Sequence, residues 1–156
     1  MTEYTLRLAQ ASESEIITAQ RQGMFEAMGS ADAAALAQMS ELYIPWVRAR
    51  IEQGLYLGWF ACTDAGSIVG GAGLWLVEWP PTVLAPGTTR GYVMNVFVDP
   101  AHRGQGLATQ MMRAIMAWCH DHGILTITLH ASDQGRPIYE SLGFDQTNEM
   151  RIILDH

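Results

Sequence analysis

The sequence predicts an α/β (α+β) protein with a mixed β-sheet, and three observations support this fold class. Three strand-like segments follow one another after a helical N-terminal part, and strands then alternate with helices. The composition is globular, because 49% of the 156 residues are hydrophobic and 16% are charged. A chain of this length buries a sizeable core, so we expect one domain over residues 1–156.

Each predicted element depends on a local signal. Alternation of polar and apolar residues predicts strands, and apolar residues three and four apart predict helices. Ser12 and Glu15 have the spacing of a capping box, so the first helix is expected to begin there. Pro45 is expected to break or kink the second helix. The predicted order is a strand (4–9), two helices (12–28 and 32–54), three strands (56–63, 67–78 and 91–98), a helix (107–122), a strand (125–131), a short helix (135–144) and a closing strand (150–154).

The charge balance excludes several kinds of chemistry. The net charge is −7, which argues against a nucleic-acid surface. All nine cations are arginines, so a phosphate-loop lysine and a lysine nucleophile are excluded. Cys62 and Cys119 are expected to be buried free thiols, with no metal site. No signal peptide and no apolar run long enough to cross a membrane is present, so the expected location is cytoplasmic, without membrane contact.

The segment DPAHRGQGLA, residues 99–108, has the layout of an anion site. It lies between a predicted strand and a predicted helix, where unpaired backbone N–H groups and the helix dipole favour a negative charge. Gly104, Gly106 and Ala108 leave the main chain accessible to a phosphate. An ordinary strand-to-helix turn also uses glycine for its backbone dihedral angles, so this segment alone does not choose between the two.

Two segments together resemble the GCN5-related N-acetyltransferase (GNAT) family. VFVDPAHRGQGLATQMM resembles its acetyl-CoA-binding motif, with Arg103, Gly106 and Ala108 at the motif positions. HASDQGRPIYESLGF resembles its C-terminal motif, which ends Tyr-Glu-x-Leu-Gly-Phe. The resemblance implies a mixed, mostly antiparallel sheet of six to seven strands. It also implies a splay between the fourth and fifth strands and about four flanking helices.

The same resemblance implies that acetyl-CoA is the co-substrate. The pantetheine arm would pair with the strand at Val96, Phe97 and Val98, and the Val96 N–H would polarise the thioester carbonyl. Ser132 stands where many relatives carry an asparagine that contacts the cofactor. The residues implied in holding the diphosphate are Arg103, Gly104, Gln105, Gly106, Leu107, Ala108 and Thr109.

Tyr139 occupies the position that resembles the family's general acid. A tyrosine can donate a proton to a thiolate leaving group, because its unperturbed pKa of about 10 lies above the thiol's value of about 8.5. The alternative is a half-buried aromatic residue with a backbone partner. Ile127 occupies the position where some relatives carry a glutamate base. The candidates for a base are His130, Glu78 and, as a water-holder only, Asn95.

The expected function is therefore an N-acetyltransferase that moves an acetyl group to a primary amine by direct attack. The alternative is a non-catalytic acyl-CoA-binding sensor or interaction module. The acceptor is expected to be a small molecule or a peptide, and the acid-rich N-terminal half is compatible with a cationic amine. Trp79 is the best candidate for acceptor contact. A homodimer is possible, and His120 and His122 are read as residues of a helix C-terminus, not as metal ligands.

Overall fold

A five-stranded mixed sheet organises the fold. The computed structural model describes residues 3–29 and 32–155, and its strands lie side by side in chain order. The first four strands pair antiparallel, and the fifth pairs parallel with the fourth. The strands are β1 (Tyr4–Leu8), β2 (Tyr56–Thr63), β3 (Ile68–Glu78), β4 (Thr89–Val98) and β5 (Ile127–Leu129).

Helices cover both faces of this sheet. The four α-helices are α1 (Ser14–Met28), α2 (Ala33–Glu52), α3 (Leu107–Asp121) and α4 (Arg136–Ser141). Alternate residues of β2 enter two different apolar clusters, so the clusters lie on opposite faces. Tyr56 and Phe60 pack with α1 and α2, whereas Trp59 and Ala61 pack with α3. Among the described residues, no helix is both long and apolar enough to span a bilayer.

The predicted order of elements is confirmed up to the last helix, but the predicted strand count is wrong. The sheet of the described residues has five strands instead of six to seven, and β5 has three residues. Residues 150–154 alternate like a strand, but a strand also needs a partner edge, and this segment pairs with none. Its apolar side chains stay exposed: Met150 at 93%, Ile152 at 80%, Ile153 at 77% and Leu154 at 74%.

Two helix predictions also need correction. A 3₁₀ turn over residues 11–13 precedes α1, so the expected box of Ser12 and Glu15 does not form. Instead, the Gln10 N–H donates to the Glu13 carboxylate at 2.9 Å. Pro45 does not break α2, which continues from Ala33 to Glu52, although a proline removes a backbone N–H and its ring crowds the preceding turn. The buried side chains of Tyr43 and Val47, on either side of the proline, anchor both parts of the helix in the same apolar cluster.

Glycines in β3 make room for side chains that lie flat against the sheet. A Cβ at Gly71 would overlap the Gln20 side chain, and a Cβ at Gly73 would overlap the Tyr56 hydroxyl. Tyr56 is 2% exposed, so it has little space into which to move. The glycine-rich stretch of β3 is therefore a packing requirement of the α1 and α2 face.

We expect Gly73→Ala to lower the free energy of unfolding by about 1–3 kcal/mol, because an added methyl forces the buried Tyr56 ring to shift. Gly87→Ala is the matched control, since no atom lies within 4 Å of its Cβ position. That change should stay within about 0.5 kcal/mol of wild type. Urea denaturation measures both, and equal effects of the two substitutions would contradict this account of β3.

Candidate active site

The central feature of the site is a stretch of β4 that no neighbouring strand covers on one side. β5 pairs with β4 only over Gly91, Tyr92 and Val93, whereas β4 continues to Val98. Beyond Val93, therefore, the β4 edge that faces β5 has no ladder partner among the described residues. An extended ligand can pair with such an edge as an added strand does.

A β-bulge at Asn95 sets the direction of the side chains along this stretch. Gly71 is opposite Phe97 and Gly73 is opposite Met94, so β4 holds one more residue than β3 between these pairs. Asn95 takes a φ of +60°, a left-handed conformation that asparagine tolerates better than most residues. After the bulge, Val96 packs with the α3 cluster.

Phe97 points to the opposite face. Its ring lies against α1, where Cε2 comes within 3.1 Å of a Cβ built at Gly23. Val98 packs, like Val96, with the α3 cluster. The three predicted cofactor-pairing residues of β4 are therefore consecutive, half-buried and on alternating faces of the uncovered stretch.

A buried hydrogen-bond network holds the bulge. The Asn95 amide nitrogen donates to the Tyr43 hydroxyl at 2.7 Å and to the Tyr56 hydroxyl at 2.9 Å. The Arg21 guanidinium donates to the Asn95 amide oxygen at 2.8 Å, and the Tyr43 hydroxyl donates to the Met94 sulfur at 3.4 Å. Burial raises the pKa of both tyrosines, so their hydroxyls stay neutral.

Sequence reasoning missed this network. It considered Asn95 only as a water-holder, but Asn95 is 2% exposed and its amide is bonded to three side chains. The one available signal was an asparagine inside an otherwise apolar strand. Arg21, Tyr43 and Tyr56 come from three different elements, and only the folded chain brings them together.

The segment after β4 forms an open glycine turn at the start of α3. Gly104 has a φ of +78°, and Gly106, the N-cap of α3, has a φ of +75°. Both Cβ positions face open space, and no side chain caps the helix. The N–H groups of the first turn have no intrahelical partner, so they are available to an anion.

The side chains of this turn leave that opening clear. The Arg103 Nε donates to the Val98 carbonyl at 3.1 Å, which ties the turn back to β4. Leu107 is 2% exposed and packs in the α3 cluster, so it offers a ligand only its backbone. Gln105 is exposed, and Ala108 and Thr109 are half-buried.

Tyr139 lies on α4, the helix that follows β5. Its ring is half-buried, meets Phe144 edge to face at 6.0 Å, and packs against Gly135. Burial raises the pKa of Tyr139 above its ordinary value, which keeps the phenol protonated. Ser132 accepts a hydrogen bond from the Gly135 N–H at 3.1 Å, so it caps this turn and keeps its own proton to donate.

The candidates for a base are spread along β4, with Glu78 opposite Thr89 at its start and Asn95 near its end. The His130 ring is hydrogen-bonded to the Tyr92 hydroxyl, and Ile127 is half-buried and apolar. Glu78 lines an open groove of about 410 Å³, together with Trp79 and the Pro80–Pro81 pair. The Arg90 guanidinium stacks over Trp79 at 4.0 Å.

The histidines near the end of α3 serve the helix terminus. The His122 Nδ1 lies 2.8 Å from the Trp118 carbonyl oxygen. The rings of His122 and Trp118 stack, with their centroids 3.8 Å apart. Gly123 follows with a φ of +72°. Across the described ranges, no three histidine, cysteine or acidic side chains gather as metal ligands.

We expect Asn95→Ala to destabilise the fold by about 2–4 kcal/mol, because it leaves buried polar groups unpaired. Asn95→Gly should cost roughly 1 kcal/mol less than alanine, since glycine relieves the left-handed backbone. Asn148→Ala, at an exposed asparagine, is the matched control and should change the free energy of unfolding by less than about 0.5 kcal/mol. Chemical denaturation measures the free energy of unfolding of the three variants. An Asn95→Ala variant as stable as wild type would refute the role of the network.

Known proteins resemble this chain over most of its length. A solved GCN5-related N-acetyltransferase from Ralstonia eutropha JMP134 is 32% identical, with a TM-score of 0.91 over 97% of this chain and 99% of that one. A predicted acetyltransferase from Clostridium acetobutylicum, solved with acetyl-CoA, has the same fold, with a TM-score of 0.88 at 23% identity over 97% of this chain and 96% of that one.

A curated relative and a family profile point the same way. The glucosamine 6-phosphate N-acetyltransferase of Trypanosoma brucei brucei is 30% identical over 106 residues, which are 68% of this chain and 69% of that protein. The profile of the acetyltransferase (GNAT) family matches residues 22–144, from α1 to the end of the Tyr139 motif. This chain belongs to the GNAT family and is an acetyl-CoA-dependent acetyltransferase.

Proposed function

We propose that this protein transfers an acetyl group from acetyl-CoA to a primary amine by direct attack of the amine on the thioester. One observation carries the proposal: the uncovered stretch of β4 runs directly into the open glycine turn of α3. A long ligand with an amide-bearing arm and a diphosphate matches this succession of a strand edge and an anion-binding helix start. The Clostridium acetobutylicum structure contains acetyl-CoA on the same fold.

In this proposal the cofactor-binding residues divide into two groups. The backbone of Val96, Phe97 and Val98 pairs with the pantetheine arm. In the proposal the turn holds the diphosphate, and Ser132 donates a hydrogen bond to the arm. The residues of the diphosphate group are Arg103, Gly104, Gln105, Gly106, Leu107, Ala108 and Thr109.

The reaction then needs three functions from the chain. The Val96 N–H polarises the thioester carbonyl as the amine nitrogen forms the new carbon–nitrogen bond. The carbon–sulfur bond breaks, and Tyr139 donates its proton to the departing sulfur. The attacking amine loses one proton to a base, for which His130 is the nearer candidate, directly or through water. Glu78, the other candidate, pairs with Thr89, roughly 23 Å before Val96 along β4, and can act only through a chain of water molecules. The products are an amide and the free thiol of coenzyme A.

The acceptor is a small-molecule or peptide amine. The Trypanosoma brucei brucei relative is named for glucosamine 6-phosphate, which carries an amine. In this chain the groove lined by Glu78 and Trp79 is large enough to hold part of an acceptor, at about 410 Å³. Trp79 is 41% exposed and lines that groove.

We expect Tyr139→Phe to lower kcat by about 100-fold near pH 7, because the thiolate then leaves without a proton. The deficit should stay constant until the wild-type phenol itself ionises, because the leaving ability of an unprotonated thiolate does not depend on pH. Wild-type activity should fall only as pH rises through the raised pKa of Tyr139, since the phenol then loses its proton. The variant should lack that alkaline decline.

The measurement is thiol release from acetyl-CoA across a panel of primary amines, with acetyl-CoA binding followed by calorimetry as the control. Binding should be nearly unchanged in Tyr139→Phe. Full activity of the variant at every pH would refute the assignment of the acid. Binding of acetyl-CoA without turnover on any amine would favour a non-catalytic acyl-CoA-binding module, and absence of binding would refute both functions.

A further inference from the structure

We infer that Arg21 binds an anionic group, a carboxylate or a phosphate, on the amine acceptor. The inference rests on the proposed function for the identity of the acceptor as an amine. With Arg21 in this role, the acceptor is a primary amine that also carries a negatively charged group at some distance from the reacting nitrogen. Three observations about Arg21 lead to this inference: the lack of a counter-ion among the described residues, the neutral groups that contact it, and its position.

Arg21 has no counter-ion in the part of the chain that the structure describes. The ion pairs found there are Arg7 with Glu13 and His120 with Asp121. Arg21 instead donates to the neutral amide oxygen of Asn95. Its Nε is buried and has no hydrogen-bond partner among the described residues. A buried donor without a hydrogen-bond partner lowers the stability of the fold, and the effect is larger when the donor belongs to a charged group.

The surroundings hold the guanidinium in place without neutralising it. It lies over the Tyr43 ring at 4.5 Å and over the Phe25 ring at 4.9 Å. The Asn95 amide cannot reorient, since its nitrogen is engaged by two tyrosine hydroxyls. An arginine that is preorganised, positive and without a carboxylate is suited to binding a carboxylate or phosphate through charge-assisted hydrogen bonds.

Arg21 also lies on the side from which the acceptor must approach. Val96 and Val98 pack into the α3 cluster, so the α3 side of the transfer point is filled by the core. The opposite side belongs to α1 and α2, and Arg21 bonds there to Asn95, the residue before Val96.

The test compares pairs of amines that differ only in the anion. Glucosamine 6-phosphate compared with glucosamine tests the binding of a phosphate. An amino acid compared with its amide tests the binding of a carboxylate. We expect wild type to favour the anionic member of at least one pair by 10-fold or more in kcat/KM. Arg21→Met should abolish that preference and Arg21→Lys should keep part of it. Arg48→Met, which removes an exposed arginine of α2, should leave it intact.

A second readout does not depend on turnover. The Arg21 Nε–H gives an NMR resonance that Arg21→Met assigns, and the anionic amine should shift it whereas its neutral partner should not. A shift without turnover would support the role of Arg21 and refute the proposed function. Turnover with no preference for the anionic amine in wild type, or a preference that survives Arg21→Met, would refute the role of Arg21 and leave the proposed function standing.

Discussion

Most of the site depends on one buried asparagine in a left-handed conformation. The extra residue at Asn95 resets the alternation of β4, and the valines that follow it turn toward α3 while Phe97 turns toward α1. A backbone of this kind is strained for an ordinary residue, and the hydrogen bonds of Asn95 to Tyr43, Tyr56 and Arg21 stabilise it. Hydrogen bonds on the α1 and α2 face of the sheet therefore fix the backbone conformation of the uncovered part of β4.

The neighbouring strand is adapted to this bulge. Gly71 and Gly73 flank the point where β3 faces the extra residue, and each leaves space for a side chain from the other layer. Gln20 fills the space at one and Tyr56 fills it at the other. Larger residues in β3 would push Tyr56 away from Asn95 and release the bulge. The glycines thus act on the site through packing, at a distance from the anion-binding turn.

Charge is distributed unevenly between the two sides of the uncovered stretch. The turn at the start of α3 presents backbone N–H groups and a helix dipole, with no acidic residue in the first turn. The face of α1 and α2 presents Arg21, held by neutral groups. In a chain whose net charge is −7, both features are local regions of positive potential. This arrangement suits a reaction in which the donor is anionic and the acceptor is oriented by its own charge.

The sequence by itself determined most of the elements, the glycine turn before α3 and the family. These depend on contiguous residues, since Gly104, Gly106 and the segment around Tyr139 carry their signal in local spacing. Only the tertiary structure decided the bulge and its partners, because Arg21, Tyr43 and Asn95 are far apart in the chain and meet across two layers. It also decided that residues 150–154 do not join the sheet of the described residues. Their alternation predicts a strand, but a strand must hydrogen-bond to the edge of a sheet, and alternation alone does not supply that edge.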